Sequence, residues 1–359
     1  MNFGFNDEQE AIKRAARDFL AARYSLEEVR RLATEEERGF TDEQWTQLVE
    51  LGWPGIFVDD EHGGQGLGVV ELVILQEELG YALAPSPFFS DACAGLLLHA
   101  AGSDEQKREW LAPLAAGERR GTLALHDEEP DWSPMGKLEP DGSKLTGTKT
   151  LVPDAAAADF MVVGLPGARA CIVDLGAPGV TVTATEGIDS TRKLYAVQLD
   201  GVEVDLLPGD DDSLGWAYRA MSTALAAESV GVAQRAMEMA VEYAKDRKQF
   251  GQPVGVFQAV SHRCAQMLLE VEGARSITYY AAWAIDHEPE SAALAASMAK
   301  AYASDAGARV TGSSLQVHGG IGFTWEHDLH WFLKRAEANA HALGDARWHR
   351  SRVAELAGV

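Results

Sequence analysis

The chain reads as an α+β protein in three consecutive regions: an N-terminal helical domain (1–120), a middle β-barrel or sandwich (121–212) and a C-terminal helical bundle (213–359). Three observations predict this. Apolar residues recur at helical spacing from about residue 6 to 125. Near Arg119 the pattern shortens and alternates, with Gly and Pro punctuation. From Leu214 the helical period returns.

The elements follow in order. Asn6 is positioned as an N-cap with Gln9 as its capping-box partner, ahead of a stripe of Ile12, Ala15, Ala16, Phe19 and Leu20. A second helix starts near Thr41, covers Trp45, Leu48 and Leu51, and stops at Gly52-Trp53-Pro54. A glycine-rich loop, Val58 to Gly68, precedes a helix with Leu72, Leu75, Glu78 and Leu79. Ser103 caps the next. Phe160–Val163, Ala170–Val173 and Val180–Thr183 alternate as strands, and Asp141-Gly142 is a hairpin turn. In the last region Met221, Leu225, Val232, Ala236, Met239 and Tyr243 share one helix face. Three further helices are expected over about Pro253–Trp283, Pro289–Gly319 and His327–Ala357.

Composition sets outer limits. With 46% hydrophobic residues the chain can bury sizeable cores. Its net charge of −24 would repel a phosphate backbone, so nucleic acid is not an expected partner. Three scattered cysteines, Cys93, Cys171 and Cys264, fit a reducing cytoplasm. Met1 to Glu8 lacks a basic region followed by an apolar run, so no secretory leader is expected, and no apolar run suggests a membrane span.

Two segments carry the chemistry: Arg247-Lys248-Gln249-Phe250-Gly251-Gln252-Pro253-Val254-Gly255-Val256-Phe257-Gln258, and Gln316-Val317-His318-Gly319-Gly320-Ile321-Gly322-Phe323. With Val58 to Gly66 and Gly102 to Lys107, they resemble the acyl-CoA dehydrogenase family over essentially the whole chain. The resemblance implies a C-terminal four-helix bundle and FAD bound across a subunit interface in a tetramer. It implies α,β-dehydrogenation of an acyl-CoA thioester, with electrons passed to an electron-transfer flavoprotein. By resemblance Arg247 would pair with the flavin pyrophosphate, for which its planar fork of donors is suited. Phe250 and Gln258 would contact the adenosine portion. Gln316, Gly319 and Gly320 would lie along the neighbour's pyrophosphate, where backbone donors can approach. The ordinary readings are an Arg247 pair with Glu242 or Asp246, a core role for Phe250, and a helix C-cap at Gly319-Gly320.

The sequence departs from the family at its working groups. The family's usual catalytic glutamate falls on Leu343, and the alternative position on an earlier helix falls on Ser222. Two carboxylates are candidate bases instead. Glu228 lies on an apolar helix face, where desolvation raises a pKa; its ordinary reading is a buried pair with a neighbouring Arg or Lys. Asp345 lies two residues past Leu343; its ordinary readings are an exposed helical Asp or a contact replacing the family's threonine. In the β region the family's Thr-Glu-Pro-Gly-x-Gly-Ser segment aligns with His126 to Ser133, and its Trp-Ile-Thr with Leu151-Val152-Pro153.

The residues implied to reach a neighbour's FAD persist while those that do chemistry are altered. The expectation is therefore an acyl-CoA dehydrogenase or a subunit of a heteromeric one, acting on a bulky, branched or steroid side-chain acyl-CoA beside a related subunit. The alternatives are a self-sufficient dehydrogenase with a relocated base, a non-catalytic stabilising subunit, or a flavin oxidase or monooxygenase on the same fold. His327 and His330, three apart, are better read as packing or solvated residues than as metal ligands. Trp325 and Trp331 are read as packing residues.

Overall fold

The structure, a computed structural model, describes residues 4–128 and 136–359. Part of the His126–Ser133 segment therefore lies outside the described residues. The helices are α1 (Asp7–Arg23), α2 (Leu26–Glu35), α3 (Asp42–Glu50), α4 (Val69–Ala82), α5 (Phe88–Ala101), α6 (Asp104–Gln106) and α7 (Ala112–Ala115). The strands β1 (Gly121–Ala124), β2 (His126–Asp127), β3 (Lys144–Pro153), β4 (Phe160–Leu165), β5 (Arg169–Asp174), β6 (Val180–Thr185), β7 (Leu194–Glu203) and β8 (Asp205–Leu206) follow. Then come α8 (Asp211–Asp246), the short pair β9 (Lys248–Gln249) and β10 (Gln252–Pro253), α9 (Gln258–His287), α10 (Pro289–His318), α11 (Leu329–His341) and α12 (Ala346–Leu356). The expected α+β architecture is present. Asn6, Thr41 and Ser103 each close a capping box with a glutamine three residues on, satisfying donors that a helix start leaves open.

The chain forms two compact units assembled from non-consecutive segments. One comprises Met1–Arg30, Leu72–Ala84 and Ser222–Val359; the other Arg31–Glu71 and Pro85–Met221. Within the second, two four-stranded sheets are ordered β1-β4-β5-β8 and β2-β3-β7-β6, with β1 parallel to β4 and the remaining pairs antiparallel. They share a core of Leu145, Val152, Met161, Val163, Cys171 and Val197. Lys149 of β3 is buried between them. It pairs with Asp127 at 2.6 Å and donates to the carbonyls of Leu125 and Gly164 at 3.3 and 3.1 Å. Asp141 and Lys144 exchange both backbone hydrogen bonds around the expected turn.

In the first unit, glycines let two helices approach backbone to backbone. A Cβ at Gly80 of α4 would strike the Glu228 carbonyl of α8, and one at Gly231 would strike the Glu77 carbonyl. Beside this crossing, buried Glu77 is paired with Lys13 and Arg275, and buried Glu78 with Arg17. Such charges are tolerated inside because each has an opposite charge in contact.

Two expectations need correction. The helix expected from Pro253 begins at Gln258, because Lys248–Pro253 forms the β9–β10 hairpin and residues 254–256 a single tight turn. The helix expected from His327 to Ala357 is two helices. Leu343 (φ 55°) and Gly344 (φ 89°) take left-handed backbone angles that end α11, and Asp345 starts α12. No described helix is long and apolar enough to cross a membrane.

Candidate functional site

The Arg247–Gln258 motif leaves the end of α8 as an exposed hairpin. The Arg247 backbone carbonyl accepts from Val254 at 2.8 Å, which ties the hairpin's ends. The Arg247 guanidinium is exposed and makes no ion pair among the described residues, so the expected alternative pairing with Glu242 or Asp246 is not formed. Phe250, the hairpin tip, has φ 54° and is 91% exposed; its ring meets only the edge of Phe257. It is not a core aromatic of this chain. Gln258 is exposed at the first turn of α9.

The second motif ends α10. Gln316 is exposed and lines a cavity of about 350 Å³ with Arg263, Gln266, Glu270 and Arg309. Gly319 caps α10 at φ 65°, as a helix-ending glycine does. A Cβ at Gly319 or Gly320 would meet no atom within 4 Å, so packing inside this chain does not demand the second glycine. His318 is buried, its Nδ1 2.8 Å from the Ser314 carbonyl and its ring against Tyr243 and His327. His330 instead meets Trp325 and Trp331. Trp331 is buried, but Trp325 is 73% exposed and is not a packing residue of this chain.

The two candidate bases are both engaged. Glu228 is 1% exposed; Arg335 of α11 is paired with it, and Gln76 of α4 donates to its second oxygen at 3.0 Å. This is the buried-pair arrangement. Asp345 is half-buried, and its Oδ1 accepts the Trp348 N–H at 2.7 Å as the N-cap of α12. It is neither an ordinary helical Asp nor free. Ser222 is buried with its hydroxyl unpartnered, and no base lies within hydrogen-bonding distance to activate it.

Leu343 is buried, and its carbonyl lies 2.9 Å from His349 Nε2. Burial pushes the His349 pKa down to about 4, so the ring is neutral and Nε2 carries the proton that this carbonyl accepts. Sequence reasoning missed Arg335 and Lys300, both buried here; His349, one of the late histidines read as solvated or core, is buried too. Each is a charged or titratable residue on a helix, and helical spacing alone does not distinguish a solvated face from one covered by a later helix. In the β region, Leu151 occupies a bulge of β3 at φ 53°, between register partners Lys149↔Val197 and Val152↔Tyr195. The Pro153 carbonyl accepts from Thr122.

Among the described residues no cluster of three or more His, Cys, Asp or Glu side chains is placed to hold a metal ion.

Comparison with known proteins agrees across the length of the chain. Residues 6–118 match the model of the acyl-CoA dehydrogenase N-terminal domain, and 219–357 that of the C-terminal domain. The chain is 33% identical over 333 residues to acyl-CoA dehydrogenase FadE27 of Mycobacterium tuberculosis, with 88% of each covered. Among solved structures it is similar to the Tcur3481-Tcur3483 steroid ACAD, at 31% identity, TM-score 0.88 and 98% coverage of each chain. It is also similar to the ChsE4-ChsE5 complex from Mycobacterium tuberculosis, at 29% identity, TM-score 0.91 and coverage of 100% and 99%. The chain belongs to the acyl-CoA dehydrogenase family.

Proposed function

We propose that this chain is a subunit of a heteromeric FAD-dependent acyl-CoA dehydrogenase, lending its C-terminal loops to an FAD shared with a related subunit. The observation that carries this reading is a contrast within one unit. The loops hold an exposed, unpaired Arg247, an almost fully exposed Phe250 and an unencumbered Gly319-Gly320. The positions that the resemblance implies for a base hold Leu343 and Ser222, and the two candidate carboxylates, Glu228 and Asp345, are engaged in a buried pair and a helix cap.

The residues present fit FAD at one end. Arg247 offers a planar fork of donors to a diphosphate, and Gly319-Gly320 leaves room for close approach. Phe250 and Gln258 lie on the same hairpin and following helix turn, where they would contact the adenosine portion; Gln316 would reach the pyrophosphate. When bound, the flavin supplies hydride acceptance. The chain's own contribution is to bind and orient. Neither candidate carboxylate stands as a free base: Glu228 is paired with Arg335, and Asp345 caps α12 through Oδ1. The proton-accepting carboxylate therefore comes from the related subunit, in an assembly read as a tetramer. Two structural relatives are two-protein assemblies, one a steroid ACAD. We read the substrate here as a bulky or steroid side-chain acyl-CoA, with electrons passing to an electron-transfer flavoprotein.

The test is to purify the chain alone and co-expressed with a related acyl-CoA dehydrogenase subunit, then measure FAD per chain and anaerobic flavin bleaching by acyl-CoA. The expected result is substoichiometric FAD and no bleaching alone, with both restored together. Full occupancy and turnover by the lone chain would overturn the reading.

A further inference from the structure

Lys300, on α10, is fully buried. Its ammonium donates to Ser304 Oγ at 2.9 Å, the Asn339 carbonyl at 3.1 Å and the Gly344 carbonyl at 3.0 Å. The ammonium's three donors meet three acceptors, contributed by α10, α11 and the turn that follows, and the neutral amine keeps two of these bonds. None of the acceptors is a carboxylate. Asp305 on the same helix and Asp345 in the turn attract the charge at longer range, and His349 of α12 also faces it. The turn so gripped contains Leu343, whose left-handed angle is disfavoured in a residue with a Cβ. Strain of this kind persists only where the surroundings over-determine it. Here they do. Lys300 holds the carbonyls on either side, His349 holds the Leu343 carbonyl, and Asp345 caps the next helix.

We propose that Lys300 is a positioning residue of the site: a buried three-way clamp that fixes the Ala342–Asp345 turn and the direction in which Leu343 and Asp345 are presented. This rests on the reading that the turn belongs to the shared site. The clamp itself is a property of this chain and is measurable without substrate.

The clamp carries a pH signature. Burial pushes the Lys300 pKa down to about 7, whereas in a locally opened turn the amine is hydrated and returns toward its ordinary 10.5. Between those values the open state binds more protons than the closed one. Opening is therefore favoured on the acid side and suppressed as pH rises through 7 toward 10.

Hydrogen exchange of the purified full-length chain, with its partner subunit where bound, reads this in the peptide spanning the α11–α12 junction. Corrected for intrinsic exchange, its opening equilibrium should fall by up to about tenfold per pH unit above 7, while peptides from α9 show no such slope. Lys300→Met should abolish the slope and raise exchange at pH 9 at least about tenfold. Lys300→Gln, which keeps two donors without the charge, should recover part of the protection but no slope. Exchange at the α11–α12 junction that is no faster in Lys300→Met than in wild type overturns the proposal. If Lys300→Met does not fold, the same comparison made with Lys300→Gln decides. Because no turnover is measured, failure of FAD sharing leaves this result readable, and the reverse holds too.

Discussion

Three leucines, Leu83, Leu151 and Leu343, take a left-handed backbone angle, and the last two each sit near a fully buried lysine. Leu151 lies in the β3 bulge two residues from Lys149; Leu343 lies in the α11–α12 turn gripped by Lys300. Both stand at positions where the family resemblance implies a working side chain. Beyond that they differ. Leu151 is 45% exposed, and Lys149 has the carboxylate of Asp127 at 2.6 Å. Leu343 is 6% exposed, and Lys300 is held by neutral oxygens alone. The backbone shape of each segment is held by different means. At the bulge, a buried ion pair between the neighbouring strands β2 and β3 fixes the strand. At the turn, hydrogen bonds and apolar packing do so without a counter-charge. A buried lysine with no contacting carboxylate is the one whose protonation can be moved by ordinary changes of pH.

The comparison can be broken most forcefully at the bulge. Asp127→Asn leaves Lys149 buried without its counter-charge, which should cost about 3–5 kcal/mol in chemical denaturation. A loss under 1 kcal/mol would mean that the two lysines are held alike after all. Next are the leucines themselves. Leu343→Gly relieves strain but removes a buried side chain, a net loss of about 2 kcal/mol. Leu151→Gly relieves the same strain with little burial to lose, and should lie within about 1 kcal/mol of wild type on the neutral-to-stabilising side. Equal effects in the two variants would remove the distinction drawn here. The smallest effect is expected at the restart of α12, where Asp345→Ala removes one capping bond and should lower stability by about 1 kcal/mol. A loss several times larger would assign Asp345 a role in holding Lys300 as well as the cap.

Much of this was legible in the residues. Capping boxes announced themselves by Asn, Thr or Ser followed three residues later by Gln, because an open helix N–H needs a short acceptor there. The β region showed in its alternation, and the two loops in their motifs. The carboxylate at 228 was placed on a buried face by spacing alone, and its pairing with an Arg or Lys of another helix was foreseen as a class. That the partner is Arg335 was not, since it lies more than a hundred residues away. The break at Leu343 had a local sign in Gly344-Asp345, a helix-ending glycine followed by a capping residue, which the apolar periodicity on either side obscured. Lys300 gave no sign at all. In an alanine-rich helix a lysine ordinarily marks the solvent side, and only α11 and α12, folded back over it, put it inside.

By itself, then, the sequence determined the order of helices and strands, the family, the motif at Arg247, and that Leu343 and Ser222 stand at the positions where the resemblance implies a carboxylate. These are properties of residue type and short-range spacing, and backbone geometry translates them directly. The tertiary structure alone decided that Glu228 is locked to Arg335, that Asp345 is a cap, and that Lys300 clamps the turn. Each of those depends on which distant segment covers a side chain and takes its water away, and the cost of a charge is set by that removal rather than by the residue's neighbours in the chain.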